Sequence, residues 1–400
     1  MKIGLLREEK SPPDKRVVFT PDQCAIINQT YSQVDLVVQS SSIRCFTDDE
    51  YIDKGVKVVD NLADCDILLG IKEVPKELLI ANKVYFYFSH TIKKQPYNRS
   101  LLAKMVELGI TMVDYEVLIG RGGGRLLGFG RYAGVVGAYN AFLTYGLKSR
   151  NYSLKPAYLC KDRLEMEEEL SKLNLVSERI VITGKGRVGR GIIEIMRKSM
   201  IREVSVEDFL NKKFSEAIFV CLDTMDYNER IDGSLSDKKD FYNHPELYRS
   251  SFLRFAEQAD IFIAGHYYSS GSPYLFTSKE VGLDSFRIGV VADISCDING
   301  PIASTIRDST IDEPIYGYDK KSGQEVFFEN QAAIAVMAVS NLPCELPKDA
   351  SEDFGKEMLE KILPLIIDGD KDSIIRNGTI CSGGDLTSEF EYLRDYLNED

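Results

Sequence analysis

No apolar run in this 400-residue chain approaches the ~20 residues that a membrane-spanning helix requires. The amino terminus, MKIGLLREEK, turns charged at once and lacks the long apolar core of a signal peptide. Both absences point to a cytoplasmic protein. Paired cysteines are missing as well: the eight cysteines (24, 45, 65, 160, 221, 296, 344 and 381) are scattered, with no C-x-x-C. That pattern favours reduced, structural thiols over disulfides or zinc, and no metal site is expected. Basic residues are not in excess, since 49 Lys and Arg face 62 Asp and Glu, a net charge of −13. A nucleic-acid partner needs a concentrated basic face, so that class is set aside along with membranes. Anionic small molecules remain, because a local cluster of Lys and Arg suffices for them. Histidine is scarce, at three residues, and no repeat or low-complexity segment stands out.

What is present is ample material for globular cores: 44% of residues are apolar and 10% aromatic. The length exceeds what one core usually supports, so two domains are expected. The stretch that organises them is residues 180–191, IVITGKGRVGRG. A β-branched run ends in G-x-G-x-x-G, and the sequence then reads as a helix over 188–200. Gly184 lets the chain turn sharply out of the strand, Gly186 lets a diphosphate approach the backbone, and Gly189 lets helix and strand pack closely. Lys185, Arg187 and Val188 complete the loop, and the helix N-terminus offers free N–H groups to an anion. A dinucleotide site is expected here.

Before this motif, strands at 2–6, 34–38 (VDLVV), 67–71 (ILLGI), 84–88 (VYFYF) and 111–113 alternate with helices, one of them at 98–108. After it come strands at 218–222, 261–264 and 288–294. Such β-α-β alternation predicts an α/β fold: two doubly wound, Rossmann-like domains flanking a cleft. The glycine-rich 120–130 reads as a connection and 132–147 as a buried helix, with Gly134 and Gly137 suited to close packing. Residues 331–339 (QAAIAVMAV) read as a second apolar helix returning to the first domain, and 345–400 as mostly helical. The expected division is 1–130 plus 320–400 for substrate and catalysis, and 131–319 for the dinucleotide. Hinges are expected at the two apolar helices. The polar segments 155–173 and 223–244 read as insertions without an assigned role.

Ligands of open parallel sheets bind outside the carboxyl ends of the strands. Lys72 and Glu73 follow one predicted strand, His90 the next and Glu116 a third, so these residues can face one site. Gly265 and His266 follow strand 261–264, and Asp293 closes strand 288–294. Of the three histidines, His90 is the best acid–base candidate, with Lys72 beside it. His244 reads as part of a turn.

These residues lie in a recognisable pattern. FSHTIK (88–93), with GIK (70–72) before it, resembles the lysine–2-oxoglutarate reductase module of the saccharopine pathway, within the alanine dehydrogenase and saccharopine dehydrogenase family. DKRVVFTP (14–21), FGRYAGVVG (129–137), YNHPELYRSSF (242–252), ADISCDING (292–300), TIDEP (310–314) and NLPCELPKDASEDF (341–354) extend the resemblance in order. It implies a dehydrogenase acting at a C–N bond, with an amino acid and a keto acid as small-molecule partners and an oligomeric state left open. Lys72 and His90 match the positions that share proton handling. Glu73 and Glu116 match acids that tune the site, and Asp293 matches an aspartate near the nicotinamide. Lys10 and Arg16, and Arg131 within FGRYAGVVG, match basic positions that accompany substrate carboxylates. Reductive amination of a small keto acid, and a nucleotide-sensing protein without turnover, are the rival readings.

The cofactor is expected to be NAD or NADP. An acidic residue at the end of the second strand of the nucleotide fold accepts the adenosine ribose hydroxyls. In 202–208 (REVSVED) the strand end is expected at Ser205 or Val206, and Glu207 could serve NAD. Ser205 with a nearby cation would instead suit the 2′-phosphate of NADP.

Overall fold

The computed structural model describes residues 1–9, 13–269 and 271–398. The chain divides into two units, Met1–Phe129 with Pro347–Asp400, and Gly130–Leu346. Both are α/β.

The first unit holds β1 (Lys2–Leu5), β2 (Asp35–Gln39), β3 (Lys57–Val59), β4 (Ile67–Lys72), β5 (Val84–Phe88) and β6 (Thr111–Asp114). These six pair in parallel, in the order β6-β5-β4-β1-β2-β3. The sequence VYFYF shows why β5 is central. Phe86 and Phe88 join Phe19, Leu69 and Ile71 on one face, while Tyr85 and Tyr87 join Leu68 and Met112 on the other. A strand buried on both faces has no polar alternation, as expected of a parallel sheet covered by helices. The first helix, Pro21–Thr30, begins with Thr20 and Gln23 in a reciprocal capping box and proline at its start.

The carboxyl-terminal segment returns to this unit with the helix Pro347–Glu357, whose Phe354 enters the first face. It is less helical than the sequence suggested. Of two strands that follow, Thr379–Ser382 adds antiparallel to β6 and Asp385–Leu386 adds antiparallel to Thr379–Ser382. Ile380 and Cys381 are buried with Met112, so burial and the outer hydrogen bonds of β6 outweigh the local charge pattern.

The second unit holds β7 (Arg179–Thr183), β8 (Arg202–Glu203), β9 (Ile218–Leu222), β10 (Asn228–Arg230), β11 (Tyr248–Ser250), β12 (Ile261–Ala264), β13 (Val290–Asp293), β14 (Ile315–Asp319), β15 (Glu325–Val326) and β16 (Ala333–Met337). Its sheet runs β15-β14-β16-β13-β12-β7-β9-β8, and β10 with β11 makes a separate antiparallel ribbon in the polar insertion. The long helix Gly130–Ser149 packs against the helix Arg187–Lys198. A side chain on Gly134 would stand 2.0 Å from the Val188 carbonyl oxygen, so only glycine permits this approach.

Two expectations change here. Residues 331–339 are not a helix: Ala333–Met337 form β16, parallel to β13 and antiparallel to β14. A short apolar run has no periodicity that separates a buried helix from a buried strand, and the open edge of β13 decides it. Residues 320–346 therefore belong to the second unit, which ends at Leu346 instead of near 319. Among the described residues, no helix is long and apolar enough to cross a membrane, no disulfide forms, and no His, Cys, Asp and Glu group could hold a metal ion.

Candidate active site

In the first unit β4, β5 and β6 are neighbours, and their carboxyl ends carry Lys72, His90 and Glu116. Lys72 Nζ lies 3.4 Å from His90 Nε2. On the other side of the ring, Nδ1 is 3.5 Å from Glu116 Oε2, a charge contact longer than a well-formed hydrogen bond. His90 reaches this position through a left-handed backbone, φ 56°, directly after β5. A non-glycine residue there is held by its surroundings. Buried Asp114, at the end of β6, provides the hold: it accepts from the Ser89 backbone N–H at 3.1 Å and from the Ser89 hydroxyl at 2.5 Å. Asp114 also accepts the Glu116 N–H at 2.7 Å, so one buried carboxyl braces the exits of β5 and β6.

Glu116 is surrounded by cations. Lys93 Nζ is 3.5 Å and Arg125 Nη2 3.2 Å from its Oε1. Burial pushes its carboxyl up, but His90, Lys93 and Arg125 together outweigh this and hold it down at about 2. Glu116 is thus an ionised anchor beside the His90 ring.

Arg16 is buried at 3% exposure, which places it inside the unit. Its Nε and Nη2 donate to both oxygens of Asp14, at 3.0 and 2.5 Å, and its guanidinium lies 4.1 Å over the Phe129 ring. Burial raises the Asp14 carboxyl, yet Arg16 and, at longer range, Lys72 hold it at about 2. The Arg16–Asp14 pair therefore lies within electrostatic reach of Lys72. Glu73 follows Lys72, half-buried. Lys10 lies outside the described residues.

Sequence reasoning missed Glu8. The β4–β5 ladder becomes irregular between Leu69 and Lys72. There, the two Glu8 oxygens accept the backbone N–H groups of Ile71 and Lys72 at 2.6 and 2.9 Å. Burial, with Asp14 nearby, pushes the Glu8 carboxyl up to about 8. Glu8 is a positioning residue for Lys72. The strand-exit rule, applied to β1 as it was to β4 and β5, would have found it.

In the second unit Gly184 leaves β7 with φ 92°, and Gly186 precedes the helix Arg187–Lys198. A side chain on Gly189 would meet the Gly184 carbonyl at 2.0 Å, whereas one on Gly186 would meet nothing within 4 Å. The third glycine is thus a packing requirement and the second faces open space beside the N-terminus of the helix. Those are the conditions for a diphosphate, and the loop with Lys185, Arg187 and Val188 fits a dinucleotide. Register partners Thr183, Ala264 and Asp293 bring the exits of β7, β12 and β13 together. Buried His266 has Nδ1 2.7 Å from the Thr183 hydroxyl, and burial lowers its basicity to about 4, so it is neutral. Its Nε2 has no hydrogen-bond partner among the described residues. Gly265 packs against the loop, its carbonyl oxygen 2.4 Å from where a Gly184 side chain would begin. Asp293 accepts from the hydroxyls of Ser295 and Thr305, both at 2.7 Å, and so ties its own loop.

One placement corrects the sequence reading. Strand β8 ends at Glu203, and Ser205 caps the next helix, whose first turn holds Glu207. Glu203, not Glu207, lines the depression beside the glycine loop with Lys185, Gly189, Arg190, Arg197 and Cys221. Arg131 belongs to the second unit, where its Nε and Nη2 donate to Glu194 at 2.7 and 2.8 Å. His244 sits on the surface beside Glu246.

Residues 4–136 match the family model described as alanine dehydrogenase/PNT, N-terminal domain. The chain is 29% identical over 439 residues to the alpha-aminoadipic semialdehyde synthase of Arabidopsis thaliana, covering 98% of this chain and 41% of that one. It is 26% identical over 382 residues to the NAD(+), L-lysine-forming saccharopine dehydrogenase of Emericella nidulans, covering 90% of this chain and 91% of that one. The chain thus spans less than half the length of the semialdehyde synthases it matches. Its homologues carry these two names. Among solved structures, an L-alanine dehydrogenase superposes with a TM-score of 0.66 at 14% identity, covering 99% of this chain and all of that one. A transhydrogenase from Sinorhizobium meliloti follows at 0.58 and 14%, covering 97% and 99%. They share the fold.

Proposed function

We propose that this protein is a nicotinamide-nucleotide-dependent oxidoreductase acting on CH–NH groups, interconverting saccharopine with L-lysine and 2-oxoglutarate. The Lys72–His90 pair carries the reading, in a chain whose homologues include lysine-forming saccharopine dehydrogenases. In the lysine-forming direction the carbon of the C–N bond loses hydride, the imine takes up water, and the adduct separates into keto acid and amine. Protons move at each stage. Lys72 Nζ and His90 Nε2 are close enough to exchange them, and the Glu116 carboxylate stabilises the imidazolium when His90 holds one. Glu73 tunes the same group of charges. When bound, the nicotinamide supplies the hydride acceptor.

Arg16 takes a substrate carboxylate, since its planar fork suits that geometry, and Lys10 is a further cation of the same amino-terminal segment. Arg131 of the second unit, whose guanidinium donates to Glu194, is proposed as a third cation of this kind. The loop Gly184–Gly189 holds the diphosphate, with Gly265, His266 and Asp293 toward the nicotinamide end. NAD is the proposed nucleotide: a carboxylate at Glu203 accepts ribose hydroxyls and repels a 2′-phosphate. The proposed compartment is the cytoplasm.

The test is a purified protein with NADH or NADPH and either L-lysine with 2-oxoglutarate or ammonia with pyruvate, followed by nicotinamide absorbance. Turnover with lysine and 2-oxoglutarate supports the reading. Turnover confined to ammonia and pyruvate selects reductive amination, and nucleotide binding without turnover selects a sensor. Glu203→Ser should narrow the preference for NAD over NADP; an unchanged ratio removes Glu203 from that role.

A further inference from the structure

Apart from the glycine loop, the second unit contains a cavity of about 510 Å³ between the long helix Gly130–Ser149 and the β14–β15–β16 edge of the sheet. Leu143 and Leu147 of the helix, Ile315, Tyr316, Val326 and Met337 of the strands give it apolar walls. Glu345 also lines it, 3% exposed. Its Oε1 accepts from Asn140 Nδ2 at 2.8 Å, and the carboxyl also accepts the Tyr158 backbone N–H. No cation among the described residues pairs with it.

A buried carboxyl without a counter-charge is costly, and natural proteins keep such groups where they are used. The rest of the lining adds to the sign. Asp312, Glu313, Glu325 and Glu329 are exposed acids, against a single lining cation, Arg307, which Glu325 already holds through two contacts of 2.8 Å. Apolar walls, a buried carboxyl and an acidic border together specify an amphipathic cation. We infer that this cavity is a second ligand site, taking a small aliphatic ammonium ion whose charge meets Glu345 and whose methylene chain lies along the apolar walls.

The assignment stands independently of the reaction proposed above, because none of these residues takes part in it. It has a distinctive consequence. Burial pushes the Glu345 carboxyl up to about 8, so near neutral pH it is mostly protonated. An arriving ammonium favours the ionised form, and binding then releases a proton to the buffer.

The experiment is titration calorimetry of the full chain with n-pentylamine, and with 1-pentanol as the uncharged chain, in two buffers of different ionisation enthalpy. Pentylamine should bind once per chain with proton release, and more tightly than pentanol. Glu345→Gln should weaken it by at least about tenfold and abolish the proton release. Because that variant also alters the Asn140 and Tyr158 contacts, Val326→Trp provides a second arm. It fills the cavity from the edge strand with Glu345 intact, and should block both ligands. Equal binding of pentylamine to wild type and both variants overturns the site. So does equal binding of pentanol and pentylamine, or no saturable binding in the millimolar range.

Discussion

Lys72 Nζ and His90 Nε2 stand 3.4 Å apart although eighteen residues separate them in the chain. Two neighbouring parallel strands end together, and a left-handed turn at His90, braced through Ser89 and Asp114, swings the ring toward the lysine. The contact lets the pair act as one proton-handling unit in the proposed reaction.

Removing either member should therefore lower turnover by the ~10²–10⁴ expected of an acid–base group, with nucleotide affinity near normal. The double variant Lys72→Ala with His90→Ala should cost less than the product of the singles. Steady-state kinetics of the three proteins check this. Fully multiplicative losses would argue for two separate proton paths.

Glu8 offers a way to move Lys72 without touching it. Glu8→Ala leaves the Ile71 and Lys72 N–H groups without their acceptor, at a cost of about 1–3 kcal/mol for such a buried loss. Turnover should fall, and KM for the nucleotide should stay unchanged. A variant that melts earlier yet keeps the wild-type kcat would assign Glu8 to stability alone.

Arg16→Lys keeps the charge but loses the two-point contact with Asp14 and the stacking over Phe129. The expected result is a KM for 2-oxoglutarate raised much more than that for the nucleotide. Parallel melting curves separate the alternatives: a lower melting temperature with both Michaelis constants unchanged means a structural pair only.

Gly186→Val should be neutral for folding, since its backbone is extended and nothing lies within 4 Å of the added carbon. The side chain would occupy the space that a diphosphate needs. Nucleotide affinity should drop by at least tenfold, about 1.4 kcal/mol, at an unchanged melting temperature. Wild-type affinity by titration would move the nucleotide elsewhere.

Glu345 also predicts a pH dependence of stability. Its folded value is raised from 4.5 to about 8, so the fold favours the protonated form. That contribution is fully present below 4.5 and is lost as pH rises through about 8. Wild-type melting temperature should accordingly fall more across this interval than that of Glu345→Gln. Glu8, raised to a similar value, keeps part of the slope in both proteins. Identical slopes would mean that Glu345 is ionised throughout.

Much of this was legible beforehand. The G-x-G-x-x-G between a β-branched run and a helical pattern located the strand–loop–helix turn, because the spacing encodes a turn, an approach and a packing contact within a few residues. The ends of VYFYF and ILLGI nominated His90 and Lys72 for the same reason: a strand's period and its exit are local properties. The two-unit α/β plan followed from the alternation of such runs.

Other features depended on neighbours far along the chain. Residues 333–337 are strand because β13 and β14 were there to pair with, and the local pattern of AIAVM fits helix equally well. Glu203 became the acid beside the glycine loop only because β8 stops after two residues. Arg16 was read as a basic position that accompanies a substrate carboxylate, and folding buried it against Asp14 and Phe129, which no count of nearby charges could reveal. Glu8 acquired its role from the irregular end of β4, more than sixty residues away. The sequence by itself determined elements and loops, since those follow from periodicity and the conformational freedom of a few residues. Tertiary structure alone decided which buried charges meet, because that depends on which strand ends the sheet sets side by side.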